Sequence, residues 1–239
     1  MFSKNSNIYK DMFSLKSSME MQSTLYTHSQ KEFPQIFSHT EFDKILKSIL
    51  NSSKYRKDTV GEWIRIRNYT MIRLCYELML RPKEACMIKL TDIDFQNGTI
   101  KISSKSNKVR QGRILPIPTA LNEALSKYLA FPRVQFWKFS DYLFPSLKND
   151  HISRDRFTEI FRGILKEAGM YREPTRGTHG GYSLYSLRHS KATETYLKTK
   201  DPFIVANLLG HKSLESTKVY IHLAQLNKGY LELMRNALS

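Results

Sequence analysis

Apolar residues recur along this chain with helical period in its first part, with strand-like alternation briefly near its middle, and with helical period again to the end. Ser38-His39-Thr40-Glu41 reads as a capping box, in which the serine oxygen and the glutamate carboxylate satisfy each other's backbone donors ahead of Phe42, Ile45, Leu46 and Ile49. From Trp63 to Leu80 the positions Ile64, Ile66, Met71, Ile72, Leu74, Cys75, Leu78 and Met79 are dense enough to predict a mostly buried helix, and Pro82 marks a new helical start. Asn97-Gly98 is a turn signal; Thr99 to Ser103 then alternates like a strand, and Arg113 to Ile117 is a second strand candidate. Between them lies a polar, basic loop from Ser104 to Gly112. Further helices are predicted over about 118–130, 153–169, 183–198, 202–209, 214–221 and 223–238. The aromatic stretch Phe131 to Phe144 has no period and reads as packing beneath a loop rather than as a base-stacking platform.

The first residues are different in kind. Residues 1–37 are rich in Ser, Asn, Gln and Met, with apolar residues from Ile8 to Leu25 sufficient for one helix but not for a core of its own, so they are read as an arm. The folded region is expected over 38–222, followed by an amphipathic helix within 223–239. At 239 residues and 41% hydrophobic content the chain can bury a real core. Lysine and arginine outnumber aspartate and glutamate 38 to 22, a formal charge of +16 that favours a polyanionic partner. Charge alone leaves nucleic acid, an acidic protein and an anionic membrane surface open. Cys75 and Cys86 sit in apolar surroundings without metal-like spacing, which suits core filling in a reducing interior. No apolar run reaches the roughly 18–20 residues of a spanning helix, and the polar start lacks the apolar centre of a signal peptide. The reading is of a soluble, cytoplasmic protein.

Three segments change the picture when taken together: Leu80-Arg81-Pro82-Lys83-Glu84, then Tyr185-Ser186-Leu187-Arg188-His189-Ser190, then Leu208-Leu209-Gly210-His211 followed by Tyr220-Ile221-His222. In their order and spacing, over about residues 38–225, they resemble the tyrosine recombinase (phage integrase) family. The resemblance implies a mainly α fold with a small antiparallel β-sheet, the catalytic-domain fold of that family. It places Arg81 and Arg188 at the two catalytic arginines, Glu84 at a supporting acidic position, and Lys105 at the lysine of the strand-to-strand loop. It also places His211 at the histidine or tryptophan position and Tyr220 at the nucleophile. Lys108 and Arg110 in the same loop, and Lys212 beside His211, are expected to contact DNA. Where the family usually has histidine, three residues before the second arginine, this chain has Tyr185, a phenol that can donate a hydrogen bond to a phosphate but cannot become a cation. His189 lies about 100° round the helix from Arg188 and is not promoted in its place.

These residue types suit the chemistry. Attack on a phosphodiester gathers negative charge on the nonbridging oxygens, and two guanidinium forks offer paired donors with a charge that does not titrate away. A phenol of pKa about 10 is protonated at neutrality and needs activation. The leaving 5′ oxygen needs a proton, which Lys105 can supply, with Lys108 the alternative. The resemblance implies strand cleavage and rejoining through a 3′-phosphotyrosine with no metal or nucleotide cofactor, on double-stranded DNA, by protomers associating as dimers or tetramers. Family members usually carry a further helical domain ahead of the catalytic one; with 37 residues preceding the match, an accessory protein is expected to take its place. The last helix is expected to dock on a neighbouring subunit or on its own domain. Three functions stay in view: site-specific recombination, type IB topoisomerase-like nicking and closing, and DNA-binding regulation with impaired cleavage. No zinc-ligand spacing, Walker A sequence, Gly-x-Gly-x-x-Gly run or serine nucleophile elbow is present to support another chemistry.

Overall fold

The computed structural model describes residues 34–56, 58–103, 112–131, 140–146, 150–173 and 181–226, all within one compact unit. Lys105, Lys108, Arg110 and the C-terminal stretch from 227 lie outside them.

Helix α1 (His39–Asn51) starts on the capping box, with Glu41 N–H donating to Ser38 Oγ at 3.2 Å and Ser38 N–H to Glu41 Oε2 at 2.8 Å. It buries Phe42, Ile45, Leu46 and Ile49. The long helix α2 (Thr59–Glu77) begins at Asp58, whose carboxylate accepts from Gly61 N–H, and packs against α1 and against helices further along the chain. It stops three residues short of the predicted end. Met79 takes a left-handed conformation, φ 51°, turning the chain so that Pro82 opens the short α3 (Pro82–Cys86). Strands β1 (Ile93–Asp94), β2 (Thr99–Ile102) and β3 (Arg113–Pro116) form an antiparallel sheet in that order, with Ile100 opposite Leu115 and Ile102 opposite Arg113. The two-residue β1 is too short to carry a period and was not predicted.

Helices α4 (Thr119–Ala130), α5 (Arg154–Glu167), α6 (Leu184–Thr199) and α7 (Pro202–Leu209) follow close to their predicted bounds. A 3-10 turn (Leu214–Thr217) leads into α8 (Lys218–Leu226), which runs unbroken through His222, where the sequence suggested a boundary between two helices. The partners of α2 in the interior are α4 and α6. Trp63, Phe144, Phe157 and Phe161 lie fully buried in the main core, each such side chain contributing about 1.5–3 kcal/mol by its removal from water. Phe144 closes the aromatic stretch, whose residues 132–139 lie outside the described residues. Folding also reaches ahead of the capping box: Phe37 is buried, its ring stacks on Tyr182 at 4.0 Å, and its N–H donates to Ser190 Oγ at 2.6 Å. A second, smaller cluster joins Met79, Ala192, Val205, Leu209, Tyr220 and Leu223 where α6, α7 and α8 meet.

Candidate active site

The site is organised by one buried carboxylate and by the ends of two helices. Glu84, in the first turn of α3, is fully buried and accepts from Arg81 N–H at 2.9 Å and from Arg81 Nη1 at 3.1 Å. Arg113, at the start of β3, grips the same carboxylate with both Nη atoms at 3.0 Å. Arg188 Nη1 stands 3.9 Å away. Burial by itself raises the Glu84 pKa, but the hydrogen bonds and charge of Arg113, with help from Arg81 and Arg188, outweigh it and hold the carboxyl below its ordinary value.

Helix C-termini supply the acceptors for the guanidiniums. The last carbonyls of a helix have no partner within it and carry the negative end of the dipole. Leu208 O of α7 accepts from Arg113 Nε at 2.9 Å, and Leu209 O from Arg188 Nη2 at 3.0 Å. Beyond the end of α2, left-handed Met79 presents its carbonyl to Arg188 Nη1 at 2.6 Å. Gly210 ends α7 with φ 66°, and a Cβ there would stand 3.1 Å from Arg113 Nη1, so glycine serves both the turn and the close approach of that arginine.

Arg188 is 3% exposed, while the Arg81 side chain is 23% exposed and opens to solvent. Arg188 does not pair with Glu194, six residues further along the same helix; Glu194 is taken by Lys191, Lys198 and the Tyr76 hydroxyl. The other Nη2 hydrogen of Arg188 meets His211 Nε2 at 3.2 Å. A guanidinium only donates, so Nε2 is the acceptor and the His211 proton sits on Nδ1, donating to Thr217 Oγ1 at 2.9 Å. Burial, then the charges of Arg188, Arg81 and Arg113, push the His211 pKa down to about 4 and keep the ring neutral. That ring stacks at 6.3 Å on Tyr220, which is 2% exposed and within hydrogen-bonding reach of the Arg188 guanidinium. Burial raises the phenol's pKa, and Arg188, then Arg81, work against the rise.

Arg81, Glu84, Arg188, His211 and Tyr220 are thus brought together from four elements. Tyr185 is on the same helix as Arg188 but 44% exposed, outside the buried cluster, and Lys212 is exposed next to His211. Two residues enter the site that the sequence did not single out for it. Arg113 was only a strand position, and its role follows from the buried carboxylate that it meets across the fold. His189 turns toward Tyr220, with ring centroids 5.5 Å apart, because α8 lies on that side of α6.

Residues 38–226 match the family model described as the phage integrase family. The chain belongs to that family. Among curated relatives, tyrosine recombinase XerD of Oceanobacillus iheyensis is 27% identical over 198 residues, covering 82% of this chain and 60% of that protein. The solved structure of XerA recombinase superposes with a TM-score of 0.67 at 24% identity, over 87% of this chain and 65% of that one. XerH site-specific recombinase, solved on a palindromic difH substrate as a post-cleavage complex, gives 0.66 at 26% identity, over 87% and 55%. The integrase-family chain spans about three fifths of the length of the curated relatives it matches. Its fold is that of the tyrosine recombinase catalytic domain, mainly helical with the small antiparallel sheet.

Proposed function

We propose that this chain is a site-specific recombinase that cuts and rejoins double-stranded DNA through a 3′-phosphotyrosine on Tyr220. The observation that carries the reading is the meeting of Arg81 and Arg188 at one buried glutamate, with His211 against Arg188 and Tyr220 against His211. In this account the scissile phosphate docks where Arg81 opens to solvent, and the guanidiniums of Arg81 and Arg188 stabilise the charge that grows on the nonbridging oxygens. Glu84 and Arg113 position the two arginines. His211, fixed as the Nδ1–H tautomer, buttresses Arg188 and the Tyr220 ring. Tyr185 lends a phenolic donor to the phosphate in place of the usual histidine.

Tyr220 attacks phosphorus, the bond to the 5′ oxygen breaks, and Lys105 protonates the leaving oxygen, with Lys108 as the alternative acid. The β2–β3 ladder ends at the pair Ile102–Arg113, Arg113 touches Glu84, and Lys105 and Lys108 lie between these two strands in the sequence. Lys108, Arg110 and Lys212 supply further positive charge for contacts to the phosphates of the duplex. Strand exchange then takes place between associated protomers, with an accessory protein contributing to DNA grip.

A random-sequence pool of nicked suicide duplexes tests the reading and recovers the site. Wild type is expected to trap a covalent protein–DNA adduct, and Tyr220→Phe none. If wild type binds DNA well without forming an adduct, the enzyme reading is wrong and the DNA-binding regulator stands. Strand exchange between two labelled copies of the recovered site then separates recombination from topoisomerase-like relaxation.

A further inference from the structure

We propose that the imidazole of His189 accepts the phenolic proton of Tyr220 as that tyrosine attacks phosphorus, an assignment that rests on Tyr220 being the nucleophile. A buried phenol keeps its proton at neutral pH, so the attack needs an acceptor. Two imidazoles flank the Tyr220 ring, and their hydrogen bonds tell them apart. His211 is committed at both nitrogens, Nδ1–H to Thr217 and Nε2 to Arg188, so a proton added at Nε2 would point into a guanidinium. His189 is the nearer, at 5.5 Å against 6.3 Å, and its Nδ1 is buried with no hydrogen-bond partner among the described residues. A buried ring nitrogen without a partner costs stability, and its place against the nucleophile gives that cost a use. Glu84 is no rival, because Arg81 and Arg113 occupy its oxygens.

The groups that face His189 are Tyr185 and Arg188 on its own helix, Tyr220 from α8, and His211. Burial and then the Arg188 charge push the His189 pKa down to about 4, so the free site holds the neutral, accepting form. A phosphate bound between Arg81 and Arg188 offsets the charge that disfavours the imidazolium. In cleavage the Tyr220 O–H bond breaks, its proton moves to the imidazole and the tyrosyl oxygen bonds to phosphorus. The P–O5′ bond breaks with its electron pair leaving on oxygen, which takes a proton from the Lys105 acid. Religation reverses each transfer and returns both residues to their starting forms.

His189→Phe keeps an aromatic ring against Tyr220 and removes both nitrogens. In single-turnover adduct formation on the recovered duplex, its rate is expected to fall about a hundredfold or more at neutral pH. The residual rate should rise with pH, while DNA affinity and melting temperature stay near wild type; His189→Asn serves as a second variant should Phe disturb folding. A substrate whose bridging 5′ oxygen is replaced by sulfur needs no acid for its leaving group. It should restore Lys105→Ala and leave His189→Phe slow. An unchanged rate in both His189 variants, rescue of them by sulfur, or a loss matched by equal losses in DNA binding and melting would each overturn the proposal while leaving Tyr220 as nucleophile. Absence of an adduct from wild type would overturn both.

Discussion

Glu84 shows how much of this site hangs on one side chain. A carboxylate buried without partners costs several kcal/mol, and here two guanidiniums and a backbone N–H supply the compensation. Arg113→Met removes the bidentate partner and is expected to destabilise the protein by about 3–5 kcal/mol in urea unfolding. Adding Glu84→Gln should recover part of that loss, because the uncompensated charge goes with it; equal losses in the single and double variants would contradict the account. Arg81, Arg188, His211 and Tyr220 were legible in the sequence because reactive residue types stand in a particular order. Arg113 was not, since Glu84 lies 29 residues away and nothing local marks that pair. The angle of His189 from Arg188 on the helix acquires a meaning only once α8 is in place.

At the scale of elements, the guanidiniums are held by helix ends, so the way each helix stops matters as much as where it runs. Gly210 combines a left-handed turn with the close approach of Arg113. Gly210→Ala adds about 1–2 kcal/mol of left-handed strain, with a further cost as Arg113 is displaced from Glu84. Reduced stability together with slower adduct formation is expected; a melting temperature and cleavage rate equal to wild type would show that the α7 end does not tune the site. Met79 is the opposite case, a bulky residue kept left-handed because its side chain fills the cluster around Tyr220. Helix bodies were legible from period and caps. Their ends were less so: α2 stops early at a residue that carries no stop signal, and α8 continues past His222 because Leu223 and Ala224 are buried in the same packing.

For the whole molecule, two dependences follow. With a formal charge of +16, binding to duplex DNA should weaken steeply with salt, with a log–log slope of about −0.9 per neutralised phosphate, and a flat response in a titration would exclude binding through phosphate contacts. His189 and His211 both have folded pKa values near 4, below the usual histidine value of 6.5. Between those limits the unfolded chain binds more protons than the folded one, so stability should fall as pH drops from about 6.5 to about 4. Glu84, whose carboxyl is held low, adds its own loss as pH falls below the ordinary carboxylate range. A Tm profile that is flat across that acid range would contradict the buried, neutral imidazoles. No described helix is long and apolar enough to cross a membrane. The charge and the fold class were open to sequence reading; the joining of α6, α7 and α8 around the tyrosine was not, because it depends on contacts between elements rather than on any period.

The central claim is that Tyr220 forms the covalent bond to DNA, and peptide mapping of the trapped adduct by mass spectrometry tests it most directly. A nucleotide joined through its 3′ phosphate to the peptide that contains Tyr220 is expected. A link to any other residue, Tyr185 included, or a trapped complex with no covalent bond, would contradict it.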